Sequence, residues 1–181
     1  CLALALVMIY QSTHHINVAQ GEMATIATFG AWSLLPFGLP YWIVFMVVVV
    51  VSFFGGAAIE RLEIRPINGR SPFAFIAVTI GLLMVFNATS MWFAGGGDIR
   101  EFPSPFPAAL GNSLLSAHET GVFMVTLVIL LALLGFLRFT RFGLAVRAAA
   151  QNPVSSRYVG VRVGWTLTIG WGLSASIGAI A

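Results

Sequence analysis

Asn17, Gln20 and Glu22 stand within one short stretch of a chain that is otherwise poor in polar groups, with Gly21 between the last two. Asn and Gln amides donate and accept hydrogen bonds, a carboxylate accepts several, and a glycine lets another backbone approach. Such groups in an apolar segment fit two roles. One is an interrupted helix at membrane depth, whose freed backbone groups are satisfied by protein or by a water-filled cavity; breaks of this kind build midplane sites for small solutes. The other is a turn over residues 11–17 at the membrane surface, with Glu22 one turn into the next helix, where the helix dipole stabilises a carboxylate by about 0.3–1 kcal/mol. On a helix, Val18 and Glu22 share a face, and an ionisable group over an apolar stripe is a functional candidate by default. The candidate pathway residues are Asn17, Gln20, Gly21 and Glu22.

Other chemistries find little support. His14 and His15 are adjacent, and adjacent helical residues do not share a face. The remaining histidine, His118, lies far along the chain, so no metal site is expected. Neither a Gly-x-Ser-x-Gly nor a His-Glu-x-x-His pattern occurs, so no catalytic residues are assigned and the chain is not expected to be an enzyme. Cys1 is the single cysteine, which excludes an internal disulfide. The net charge of +3 does not argue for nucleic acid, because the arginines collect in loops beside apolar runs.

The elements that hold these residues are written in the charge pattern. Hydrophobic residues make up 59% of the 181 and charged residues only 8%, far below the ~25% of soluble domains. The charges fall in islands. Residues 138–162 hold Arg138, Arg141, Arg147, Arg157 and Arg162 and no acid; residues 95–119 hold Asp98, Glu101 and Glu119 against Arg100. Charge at a bilayer centre costs roughly 2.5–3.5 kcal/mol per residue on insertion scales, so apolar runs between islands read as spans. The expected spans are 1–10, 18–35, 41–59, 73–93, 121–137 and 165–181. Turns or loops are expected at 36–40, 60–72, 94–120 and 138–164. The expected fold is all-α, one polytopic transmembrane helical bundle over 1–181. Both ends lie in apolar runs, which reads as a fragment truncated at both ends. Two spans separate the Arg-bearing loops 60–72 and 138–164, so both fall on one side, cytoplasmic by the positive-inside rule.

The basic loop is too long for a bare connector. Its sequence reads as a helix stopped at Asn152-Pro153, then a second short helix ending at Gly160, a natural residue just past a helix end. Small Ala and Ser side chains there would permit close docking against a partner.

Together these segments resemble the permeases of bacterial ABC importers for branched-chain amino acids. Residues 16–23, Ile-Asn-Val-Ala-Gln-Gly-Glu-Met, resemble that family's "INFAQGEM" signature. Glu63-Ile64-Arg65-Pro66 resembles its "ER…RPL" loop, and Thr79-Ile80-Gly81-Leu82 and residues 97–106 also look familial. Residues 143–153 with Gly160-Val161 are similar to its "GRALRATAQDP…GI" loop. The resemblance runs in order over essentially the whole chain. It departs at His14, where the family usually has Gly.

The resemblance implies a multi-pass permease subunit in the bacterial inner membrane, without catalysis or a bound cofactor of its own. ATP would be used by cytoplasmic ATP-binding subunits, a periplasmic substrate-binding protein would deliver the solute, and a second homologous permease would complete the pore. ABC importers carry an "EAAxxxG" element in the loop that docks on the ATPase. Residues 154–160 occupy it here, with Val154 in place of the acidic residue. The coupling residues so implied are Arg147, Ala148, Ala149, Asn152, Pro153, Ser155, Ser156, Arg157 and Gly160. The alternative is an ion-coupled secondary transporter, which would show an internal repeat with two broken helices.

Overall fold

The computed structural model describes residues 1–13, 15–67, 71–94, 105–107 and 116–181. Eight α-helices and no strand occur among the described residues: α1 Leu2–Thr13, α2 Gln20–Leu34, α3 Tyr41–Ile59, α4 Pro72–Ala94, α5 Ala117–Phe139, α6 Arg141–Gln151, α7 Pro153–Tyr158 and α8 Val163–Ala179. This is an all-α membrane fold. Among the described residues, three segments are long and apolar enough to cross a bilayer, Tyr41–Ile67, Phe73–Phe93 and Ala117–Phe139.

Local chemistry sets the helix ends. Pro40, extended at φ −55° and ψ 136°, precedes α3, and Pro72 opens α4 where a missing N–H costs nothing. Ser116 and Glu119 form a reciprocal cap on α5: the Glu119 N–H donates to Ser116 Oγ at 3.2 Å and the Ser116 N–H to Glu119 Oε2 at 2.8 Å. The helix therefore starts at Ala117, four residues before the apolar run, and Glu119 belongs to its first turn rather than to a loop. Thr140 Oγ1 accepts from the Gly143 N–H to cap α6, and Asn152 Oδ1 accepts from the Ser155 N–H to cap α7.

Residues 60–67, expected as loop, continue α3 as a π-turn over Glu60–Ile64 and a 3-10 turn over Arg65–Ile67. Glu60 is fully buried, and Arg65 reaches back to it with Nε to Oε1 at 3.3 Å and Nη2 to Oε2 at 3.1 Å. Each charge answers the other, so the helix need not end where the charges begin. Residues 68–70 of that expected loop, 95–104 and 108–115 of the outer one, and His14 lie outside the described residues.

The centre of the bundle is α8, packed against α1, α2 and α3. Its inward side is small: Gly170, Gly172, Ser174, Ala175, Ser176 and Gly178 are all buried. Small residues let helix backbones approach in a solvent that supplies no hydrophobic force between helices. A Cβ on Gly56 of α3 would lie 2.6 Å from the Trp171 carbonyl oxygen, and one on Gly172 would lie 2.8 Å from the Phe53 ring. The seam is therefore nearly backbone to backbone, and Ser176 Oγ donates across it to the Val49 carbonyl at 3.1 Å. Trp171 fills the bulky end, packed with Ile9, Ile64 and Phe75.

Arg65 also fixes which ends lie together. Its Nη2 donates to the Gly164 carbonyl and to Thr168 Oγ1, each at 2.8 Å, so residues 60–67 meet the start of α8 just beyond the Arg-rich segment. At the other end Phe106 packs against Trp42 and His118, with ring centroids at 6.5 and 6.2 Å.

Candidate functional site

The chain between α1 and α2 turns back on itself inside the bundle. Asn17 Oδ1 accepts from the Ala19 N–H at 3.0 Å, closing a tight side-chain turn just before α2. Asn17 Nδ2 donates to Gln20 Oε1 at 3.4 Å. Gln20 Nε2 donates to the Ser174 carbonyl at 3.2 Å. The Ser174 hydroxyl donates to the Ala5 carbonyl at 2.6 Å and lies 3.2 Å from Gln20 Oε1. Four buried groups thus join α1, α2 and α8. Every one has a partner, as burial away from water demands.

Gly178 makes this joint possible. A Cβ there would lie 2.6 Å from Gln20 Nε2, so only glycine leaves room for the amide to reach α8. The depth follows from helix geometry. Ser174 lies eleven residues past Val163, about 16 Å along α8 from its Arg-rich end at 1.5 Å per residue. Asn17 and Gln20 are buried, so the break lies inside the bundle.

Gly21 and Glu22 point elsewhere. Gly21 is exposed, and a Cβ on it would meet nothing within 4 Å. Glu22 is half-buried and accepts from Asn87 Nδ2 of α4 at 3.2 Å. Asn87 lies fifteen residues past Pro72, about 22 Å along α4. The structure therefore divides the four candidate pathway residues into a structural pair, Asn17 and Gln20, and an open pair, Gly21 and Glu22. Asn87 escaped the sequence reading. Its signal was present: an amide inside the apolar run 73–93 is expensive unless it has a partner.

The second candidate surface lies at the Arg-rich end. Gly143, Val146 and Ala149 turn one face of α6 inward, and Ser156 of α7 is buried. Asn152 is committed to capping α7, Pro153 is its first residue, and Gly160 at φ +85° lets the chain leave it. Arg147, Ser155 and Arg157 are exposed, and Ala148 is half-buried. The small residues Ala149 and Ser156 are buried and face the protein. The outward apolar groups are Val154, Tyr158 and Val159, exposed by 60, 88 and 80%. Among the described residues no group of His, Cys, Asp and Glu is arranged to hold a metal ion.

The family model described as "Branched-chain amino acid transport system / permease component" matches residues 1–181. A probable branched-chain amino acid transport permease protein LivH of Methanocaldococcus jannaschii is 30% identical over 190 residues, 99% of this chain and 59% of that protein. The high-affinity branched-chain amino acid transport system permease protein BraD of Pseudomonas aeruginosa is 21% identical over 196 residues, 99% of this chain and 64% of that protein. The chain thus spans less than two thirds of the length of these relatives. No solved structure matches. An all-α bundle with membrane-crossing helices, matched from end to end by that family, belongs to the branched-chain amino acid transport permeases.

Proposed function

We propose that this chain is the transmembrane permease subunit of an ATP-driven importer. It moves branched-chain amino acids, or a related small polar solute, across the bacterial inner membrane in which it is a multi-pass protein. The observation that carries the reading is the end-to-end family match, joined to two capped short helices that present Val154, Tyr158 and Val159 at the Arg-rich end. In this reading the chain binds no cofactor. Cytoplasmic ATP-binding subunits dock on α6 and α7, a periplasmic binding protein delivers solute at the Phe106 end, and a second homologous permease completes the pore.

The two candidate surfaces then take complementary parts. Asn17 and Gln20 hold the internal break beside the pathway, and Gly21 and Glu22 face it. Arg147 and Arg157 rim the docking surface, where charge steers encounter more than it holds the complex. Mechanical continuity supports the pairing, because one helix, α8, begins beside the docking helices and carries Ser174 and Gly178 at the break.

The test is uptake of radiolabelled leucine by cells carrying the full-length protein with its neighbouring transport subunits. Depleting ATP while the membrane potential is kept should abolish uptake. Collapsing ion gradients with an ionophore while ATP is kept should leave it nearly unchanged. The reverse pattern would replace this reading by an ion-coupled transporter.

A further inference from the structure

The carboxylate of Glu22 is under-used. It can accept about four hydrogen bonds, and among the described residues the one donor that meets it is Asn87 Nδ2. Asn87 spends its Nδ2 on Glu22, and its Oδ1 has no hydrogen bond among the described residues. One turn further along α4, three residues on, the Ser90 hydroxyl is buried with no hydrogen-bond partner. Residues three apart on a helix lie side by side, with Cβ atoms roughly 5–6 Å apart. A buried serine in a helix ordinarily bonds back to a carbonyl of the preceding turn, as Thr89 does to the Val85 carbonyl at 2.6 Å. Ser90 does not, and a buried unpaired hydroxyl costs stability unless something else occupies it.

Beside Asn87 and Ser90, α4 exposes Met84, Val85 and Met91, so the cluster borders an apolar outer surface. The outward side of α3 carries Met46, Val47, Val50, Val51 and Phe54, all large and apolar. The outward side of α2 beside Glu22 carries Gly21 and Thr25, small or hydroxylated. A Cβ on Gly21 would meet nothing within 4 Å, so there is open space beside the turn that carries Glu22.

We propose that Glu22, Asn87 and Ser90 form a subsite for the α-ammonium group of a zwitterionic amino acid in transit; the assignment rests on the permease reading above. An ammonium has three donors and no acceptor. The Glu22 carboxylate supplies charge and one acceptor, Asn87 Oδ1 a second and Ser90 Oγ a third. The ligand class is narrowed accordingly: urea and simple amides lack the cation, and a des-amino acid would place an anion beside Glu22.

The experiment uses the complete importer in proteoliposomes, with ATP inside and substrate-loaded binding protein outside. Wild type must first show ATP-dependent leucine uptake; if it shows none, the permease reading itself fails. Given that uptake, Glu22→Gln should raise the KM for leucine-loaded binding protein or lower kcat so that kcat/KM falls tenfold or more, because a charge-assisted bond is lost. Ser90→Ala should lower it severalfold, and Glu22→Asp should fall between wild type and Glu22→Gln. Binding to the purified permease–ATPase complex without binding protein supplies a second readout. Leucine and leucinamide, which both carry the ammonium, should shift its melting temperature, and isocaproate, which lacks it, should not. Retention of wild-type kcat/KM in Glu22→Gln, or an isocaproate shift equal to that of leucine, overturns the subsite while leaving the permease reading standing. A shift by sodium ion alone, equal to that of leucine, would also overturn it, since the acceptors would then serve a metal cation.

Discussion

Glu60 and Arg65 are five residues apart and bonded twice over. The Arg65 backbone N–H donates to the Glu60 carbonyl, closing the π-turn, while its guanidinium donates to both Glu60 carboxylate oxygens. Thr168 of α8 completes the ring, donating from Oγ1 to Glu60 Oε2 at 2.6 Å and accepting from Arg65 Nη2 at 2.8 Å. Bidentate pairing of this kind carries direction as well as charge. Here it clamps the end of α3 to the start of α8. Such π-turns concentrate at functional sites, and this one lies against the start of α8, on which α6 and α7 also pack.

Removing one partner should therefore hurt more than removing both. Arg65→Ala leaves the buried Glu60 carboxylate without its cation and should cost about 3 kcal/mol, the low end for breaking a buried pair because Arg65 is itself partly exposed. The double variant Glu60→Met with Arg65→Met should recover most of that loss. Thermal unfolding of the detergent-solubilised protein checks both; a double variant less stable than Arg65→Ala would show that a stranded Glu60 carboxylate is not what the single substitution costs.

The Gln20 joint predicts non-additive effects. Gly178→Ala should push the buried Gln20 amide off the Ser174 carbonyl and leave its Nε2 without that acceptor, at a cost of about 1–3 kcal/mol. In a Gln20→Ala background the same substitution should cost much less, because there is no amide left to displace. A coupling energy near zero in that double-mutant cycle would deny the contact.

Docking on the ATP-binding subunits should depend on the outward apolar groups. Tyr158→Ala and Val159→Asp should each weaken association by about 2 kcal/mol, some thirtyfold, and lower transport with it. Arg157→Ala should slow association modestly and in a salt-dependent way. Ser156→Trp should instead disrupt α7 itself, because that side chain is buried. Co-purification at graded salt separates these outcomes.

Sidedness is open to chemical labelling. With Cys1→Ser as background, single cysteines at Ser71 and Ser155 should react with an impermeant maleimide only after lysis. One at Ser116 should react in intact cells, as the arginine distribution predicts. The opposite pattern would invert the proposed topology.

The sequence made some of this plain and hid the rest for identifiable reasons. The α3 boundaries follow an unbroken apolar run after Pro40, a local signal. The early start of α5 was also local: the Ser116-x-x-Glu119 cap lies in plain view, but counting Glu119 among the acids of a loop masks it. The helical course of residues 60–67 was only partly local: Arg65 answers Glu60 from five residues away, but Thr168, which completes the arrangement, lies more than a hundred residues on. The polar residues 17–22 announced a break. Which of them would be structural depended on Ser174 and Gly178, whose small side chains carry no individual signal. The inward turn of Ala149 and Ser156 was likewise a matter of tertiary packing, which small size alone does not reveal.

The close seam between α3 and α8 also bears on timing. A helix gripped at Thr168 and sealed along its length by glycine contacts has little freedom to bend locally. It behaves as a lever. Gly178 lies ten residues beyond Thr168, about 15 Å along the axis, so a tilt of about 10° at the clamp would carry Gly178 sideways by roughly 3 Å. That displacement is the length of a hydrogen bond. A push at one face of the membrane and the release of Gln20 inside the bundle would then be one simultaneous event, with no intermediate in which the docking end has moved and the break has not.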